Sequence, residues 1–408
     1  MNVHLQQSTI AKQSTIQVTG SKSESNRLLL LQALYPNLEI DNVSNSDDSK
    51  VMQKALLSVE NHIDIHHAGT AMRFLTAYFS IQKNREVILT GSKRMQERPI
   101  AILVDALSQL GVEISYEKND GYPPIKIQGK QITQNKVTLK ANVSSQYISA
   151  LLLIAPKLEN GLELTLDGEI TSIPYINMTL SLLNDIGVAT SFENNVIKVT
   201  PQSEIKKQKL TIESDWSSAS YYYSIAAMSP VGTQITLASY KENSLQGDAS
   251  LAKIYTQFGV ETTFKDHKIT LQKVATVAPE TVITLDLKNA PDIAQTIAVT
   301  CFGLGIACDL KGLHTLKIKE TDRLVALKTE IEKLGGNVTI TDKTLQLETS
   351  SAINKDIKIA TYQDHRMAMA FAPLALKTSI IIEEAFVVSK SYPTFWSDLK
   401  SIGFKISE

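Results

Sequence analysis

Apolar residues along this chain fall into two alternating kinds of run. The first kind is apolar all round, as in RLLLLQAL and YISALLLIAP, and predicts helices surrounded by other structure. Such helices begin near Ser21, Gly69, Ser144, Trp216, Pro291 and Asp364. The last five starts lie 72–75 residues apart, and only the first interval, 48 residues, is short. The second kind is apolar on one face: LVDALSQLGVEI, TLSLLNDIGVAT, LAKIYTQFGVET, LKTEIEKLGGNV and FWSDLKSIGFKI. Each predicts an amphipathic helix, a glycine stop and a strand. Gly111, Gly187, Gly259, Gly335 and Gly403 would take the left-handed position that ends the helix. Alternating segments such as TSFENNVIKVT then predict hairpin strands, and SDDSKVMQKALLSVE is a shorter version for the truncated first unit. The unit is strand, buried helix, strand, amphipathic helix, strand, strand, repeated six times. Three units per domain divide the chain near Glu213.

A length of 408 residues suits two domains, and 43% hydrophobic with 20% charged residues is ordinary for a soluble globular protein. The formal net charge of −1 excludes a global basic field for nucleic acid or an anionic membrane. Anion binding must therefore come from local clusters of cations. The two cysteines, Cys301 and Cys308, share one apolar stretch and are expected to be buried small hydrophobes. No apolar run reaches about 18 residues and the N-terminus has no apolar leader, so the cytoplasm is the expected compartment. The run HIDIHH reads as a strand with His62 and His66 on one face and His67 on the other, which argues against a metal site. Gly303–Gly305 lacks the third glycine of a dinucleotide loop, and Met367 and Met369 are expected to fill core.

Candidate chemistry sits at the starts of the buried helices. The first reads TGSKSESNR: Ser21 and Glu24 form a capping box, and Lys22, Ser23 and Arg27 add cations and a hydroxyl where free N–H groups already favour anions. The others read HAGTAMRFL, VSSQYISALL, DWSSASYYY, NAPDIAQTIA and QDHRMAMAF. Asp292 is the odd one, because a carboxylate beside anion sites is unfavourable unless it has work such as accepting a hydroxyl proton; the alternative is a plain helix cap. Loops add Arg94 and Arg98, then Lys317, Lys319, Glu320 and Arg323, and Lys390. Several such clusters at equivalent ends of repeated units suggest a cleft for heavily anionic small molecules.

These blocks resemble the 5-enolpyruvylshikimate-3-phosphate synthase family across nearly the whole chain: GSKSESNR, AGTAMR, RMQERPI, SSQYISALL, SIPYINMTL, DWSSASYY, PDIAQTIA, KETDRL, DHRMAMAF and SKSYPTF, in family order. The resemblance implies an α/β fold of two similar domains, each of three βαβαββ units with buried parallel helices. The domains would span 20–213 and 1–19 with 214–408, with the active site in the cleft between them. It implies transfer of the carboxyvinyl group of phosphoenolpyruvate to shikimate 3-phosphate without metal or organic cofactor, by a monomer with no nucleic-acid or membrane partner.

By position, the resemblance implies that shikimate 3-phosphate is held by Lys22, Ser23, Arg27, Ser144, Ser145, Gln146, Ser172, Tyr175, Asp292 and Lys319. Phosphoenolpyruvate would be held by Lys22, Gly69, Arg98, Gln146, Arg323, Arg366 and Lys390. Asp292 would take the proton of the attacking hydroxyl, and Glu320 with Lys22 would move protons at the methylene carbon. The inhibitor glyphosate would occupy the donor pocket. Three positions depart from the family pattern: His67 for a common Asn, Phe74 for a frequent Pro, and Thr315 for a common Asn. The related UDP-N-acetylglucosamine enolpyruvyl transferases usually carry a reactive Cys in the loop equivalent to 91–98, and GSKRMQER has none. RNA 3′-phosphate cyclases share part of the architecture but would need a nucleotide-attaching His and a more basic face. A non-catalytic binder of phosphorylated acids would not need Asp292, Glu320 and Lys22 together.

Overall fold

The repeat appears directly in the sheets of the computed structural model, which describes residues 1–408 except 142, 143, 171 and 172. In one repeat, His62–Asp64 runs parallel to Glu86–Thr90, which pairs antiparallel with Ile125–Gln128, which in turn pairs with Glu113–Tyr116. The same order recurs around Lys136–Lys140 and Leu162–Asp167, and around Val282–Asp286 and Ala307–Lys311. A parallel pair needs a crossover, and the buried helices supply it. Gly69–Ser80, Ser145–Ile154 and Ala294–Leu304 each lie between two such strands in sequence and are buried nearly throughout. The amphipathic helices that follow end where the pattern predicts. Gly111, Gly187, Gly259, Gly335 and Gly403 all have φ between 69° and 119°, a backbone conformation costly for any residue with a Cβ.

The chain forms two compact units, Met1–Thr19 with Glu213–Glu408, and Gly20–Ile212. Each unit has its own apolar core, one built around Leu28, Phe74, Leu151 and Leu183, the other around Trp216, Ile297, Leu327 and Met369. The link between them is an exchange of strands. Gln13–Ile16 precedes the first buried helix but pairs with Gln234–Ala238, while Gln208–Thr211 precedes the fourth but pairs with Leu38–Asp41. The N-terminal strand Val3–Leu5 then sits between Ile380–Ile382 and Ile406–Ser407, antiparallel to both, and so completes the last repeat.

Four sequence expectations need correction. Glu213 belongs to the second unit, because its carboxylate accepts hydrogen bonds from Trp216, Lys241, Ser244 and Gln246 there. The strand in HIDIHH ends at Asp64; His66 takes a left-handed φ of 49°, so alternation does not carry to His67. The fifth buried helix starts at Ala294, after a 3-10 turn at Pro291–Ile293, and the Asp292 side chain caps nothing. The helix in LAKIYTQFGVET is broken into a short α turn, Leu251–Ile254, and a 3-10 turn, Tyr255–Phe258. Cys301 and Cys308 are buried free thiols. Among the described residues, no helix is long and apolar enough to cross a membrane.

Candidate active site

In the unit Gly20–Ile212, helix starts gather the expected cations and hydroxyls. Ser21 caps the helix Lys22–Leu34 through the Glu24 N–H at 3.5 Å, which leaves Lys22 and Ser23 on the first turn. The Lys22 Nζ lies 3.3 Å from Asp48 Oδ2, and His67 Nε2 lies 3.7 Å from the other oxygen of the same carboxylate. Asp48 is nearly buried, in the first turn of the helix Asp47–Leu57. Sequence reasoning missed it, because an acidic pair in a helix's first turn, Asp47 and Asp48, reads as ordinary capping chemistry.

Arg27 turns inward. Its Nε donates to Thr179 Oγ1 at 2.8 Å, Nη1 to the Ser23 carbonyl at 2.7 Å, and Nη2 to Ser149 Oγ at 3.0 Å and the Tyr175 carbonyl at 3.4 Å. Its guanidinium lies over the rings of Phe74 and Tyr175, so Phe74 forms one wall of its pocket. Burial, opposed weakly by Tyr175 and Glu24, lowers the Arg27 pKa to about 10. A buried cation whose hydrogen bonds among the described residues all go to neutral acceptors is unfavourable by itself and is relieved by an incoming anion.

Gly69 begins the helix Gly69–Ser80, and the Arg98 guanidinium lies against it: a Cβ on Gly69 would be 2.6 Å from Arg98 Nη1. Arg73, also buried, fixes both sides of this approach by donating to the Gly69 carbonyl at 3.1 Å and the Pro99 carbonyl at 3.0 Å. Burial and the neighbouring Arg98 both lower its pKa. Ser144 caps the helix Ser145–Ile154, Ser145 is buried, and Gln146 Nε2 donates to Thr70 Oγ1 at 3.1 Å, which joins two helix starts. Ser172 lies outside the described residues.

In the other unit, Asp292 is the centre of the site. Lys319 Nζ at 3.2 Å, Arg323 Nη1 at 2.8 Å and Arg366 Nη2 at 3.2 Å all reach its carboxylate. Burial favours the neutral acid, yet Lys319, Arg366 and Arg323 together outweigh it and hold Asp292 well below the usual carboxylate range. Arg323 is almost fully buried and also donates to Glu320 Oε2 at 2.8 Å and Asp364 Oδ2 at 2.7 Å. Asp364 in turn caps the helix His365–Phe371 through the Arg366 N–H at 2.8 Å. Lys390 stands at the edge, where its Nζ donates to the Gln363 carbonyl at 2.7 Å. The 3-10 turn His314–Ile318 carries Thr315, whose hydroxyl is buried without a hydrogen bond, and leads into Lys319. Sequence reasoning did not include Asp364, Ser217 or Asp248 in this network. Among the described residues, no group of three or more His, Cys, Asp or Glu could hold a metal ion.

Repeated βαβαββ units whose helix starts collect cations, hydroxyls and paired carboxylates define a two-unit α/β protein suited to small anionic substrates. Solved structures share this fold: an EPSP synthase from Acinetobacter baumannii covers 100% of both chains with a TM-score of 0.82 at 20% identity. Residues 55–399 match the model of the EPSP synthase (3-phosphoshikimate 1-carboxyvinyltransferase) family. A 3-phosphoshikimate 1-carboxyvinyltransferase of Bacteroides fragilis ATCC 25285 is 47% identical over 398 residues, covering 96% of each chain. One of Haemophilus influenzae PittGG is 35% identical over 429 aligned positions, covering 97% of this chain and 98% of its own. The chain belongs to the EPSP synthase family.

Proposed function

We propose that this protein transfers the carboxyvinyl group of phosphoenolpyruvate to the 5-hydroxyl of shikimate 3-phosphate, giving 5-enolpyruvylshikimate 3-phosphate and phosphate. The observation that carries the reading is one carboxylate, Asp292, ringed by Lys319, Arg323 and Arg366 beside Glu320. By the family resemblance, shikimate 3-phosphate is assigned to Lys22, Ser23, Arg27, Ser144, Ser145, Gln146, Ser172, Tyr175, Asp292 and Lys319. The donor is assigned to Lys22, Gly69, Arg98, Gln146, Arg323, Arg366 and Lys390. We read it as a monomer that acts in the cytoplasm.

The chemistry follows from the charges. Held far below its ordinary pKa, Asp292 is a weak base until its cations find other partners. The donor's phosphate and carboxylate supply those partners, and the carboxylate then takes the hydroxyl proton as the oxygen adds to the central carbon of the donor. Lys22 or Glu320 gives a proton to the methylene carbon. In the second step that methyl group returns a proton while phosphate leaves with the C–O electron pair, its growing charge stabilised by Arg323, Arg366 and Lys390.

The test is release of phosphate from phosphoenolpyruvate with and without shikimate 3-phosphate. Release should require both substrates, and Asp292→Asn should lower turnover by ~10²–10⁴ while substrate binding stays within about tenfold. Release without the acceptor, or near-parental turnover in the variant, would defeat the reading.

A further inference from the structure

Arg366 is held from two sides. Its Nη2 donates to Asp292 Oδ2 at 3.2 Å and also to Ser217 Oγ at 3.3 Å, on the first turn of the helix Trp216–Met228. The Ser217 hydroxyl in turn donates to Asp248 Oδ2. Asp248 lies in the 3-10 turn Gly247–Ser250, is 3% exposed, and its other oxygen, also buried, accepts no hydrogen bond.

A buried carboxylate with a single hydroxyl donor is costly, and an apolar or amide side chain would fill the same space more cheaply. Burial first, then the charges of Asp292 and Asp215, push Asp248 up to about 6, against the pull of Arg366 and the Ser217 hydroxyl. A group that is unfavourable for the fold and joined by one hydroxyl to a candidate substrate-binding arginine is placed for function. The neutral Ser217 anchor also differs from Asp292 in one respect: it keeps its hold on Arg366 after Asp292 has been protonated.

We propose that Asp248, acting through Ser217, is a positioning residue that keeps Arg366 aimed at the donor while Asp292 takes up a proton. The proposal rests on the assignment of Arg366 to phosphoenolpyruvate made above. Asp248→Ala and Ser217→Ala remove the anchor, and Asp248→Asn keeps an acceptor for the hydroxyl but not the charge.

Steady-state kinetics and melting temperatures of the intact enzyme between pH 5 and pH 8 test it. Both alanine variants should lose about tenfold in kcat/KM for phosphoenolpyruvate, with KM for shikimate 3-phosphate changed less than about twofold. Asp248→Asn should fall between them and the parent at pH 8, and the parent should approach it as pH drops through 6 and Asp248 protonates. The folded-state pKa lies above the unfolded one, so ionised Asp248 weakens the fold at neutral pH. Asp248→Asn should therefore melt higher than the parent at pH 8, with the difference shrinking below pH 6. A merely structural role predicts the opposite: lower melting and equal losses for both substrates. That result, or unchanged donor kcat/KM in both alanine variants of an enzyme that turns over, overturns the proposal alone. A parent that releases no phosphate defeats the functional reading and the proposal with it.

Discussion

Gly69 shows how much one residue's size decides. The atom its Cβ would meet is the far end of Arg98, a flexible side chain, so an added methyl displaces the guanidinium and leaves the backbone in place. Gly69→Ala should therefore change stability by less than about 1 kcal/mol. It should raise KM for phosphoenolpyruvate, and raise the inhibition constant of glyphosate by a larger factor if that inhibitor fills the donor pocket more fully. Kinetic and inhibition constants measured side by side check this, and an unchanged ratio of the two would remove Gly69 from the pocket. His67 belongs to the same neighbourhood, because it shares Asp48 with Lys22. It thereby places an imidazole beside a candidate catalytic lysine.

At the scale of elements, the helix starts serve both fold and site. Asp364 is fully buried, caps the helix His365–Phe371 and pairs with Arg323, so one carboxylate sets the helix end and an arginine of the site. Arg323 gains charge stabilisation from Asp364, Glu320 and Asp292 that outweighs its burial and raises its pKa. Removing one partner of a buried pair leaves the other uncompensated, at about 3–5 kcal/mol. Asp364→Ala should lose stability of this order in urea unfolding and lose activity with it. Asp364→Asn retains the cap and should recover part of the stability but little of the activity. Equal recovery of both would mean that Arg323 does not need the charge.

At the scale of the whole molecule, the two exchanged strands make each unit depend on a segment distant in sequence. The unit Glu213–Glu408 needs Met1–Thr19 to complete two of its sheets. Both tryptophans of the chain, Trp216 and Trp396, lie in that unit, and Trp216 is fully buried with its indole N–H donating to Glu213 at 2.7 Å. Tryptophan fluorescence should therefore follow unfolding of this unit only, while circular dichroism follows both. Deleting residues 1–10 takes away the strand between Ile380–Ile382 and Ile406–Ser407. It should lower the urea midpoint seen by fluorescence and leave the remaining dichroism transition in place. A fluorescence midpoint unaffected by the deletion would show that the strand adds no stability.

The sequence by itself determined the repeat, the positions of the buried helices and their glycine stops. These are local matters: a 3.6-residue apolar period, a cap or a left-handed glycine acts within a turn or two of chain. It also marked Lys22, Asp292 and Arg366 at the starts of buried helices and Glu320 and Arg323 in a charged loop, while the roles expected of them came from the family resemblance. Only the tertiary structure decided which strand completes which sheet, since the exchanged strands offer the same alternating edge to either partner. It likewise decided that Arg27 faces inward, and that Asp292 meets Arg366, 74 residues away, as well as the nearer Lys319 and Arg323. Ion pairs between distant repeats depend on where helix ends converge in space, and no local pattern records that. Asp248 and Asp48 were invisible for the same reason: each is an ordinary acidic residue until the fold buries it beside a cation network.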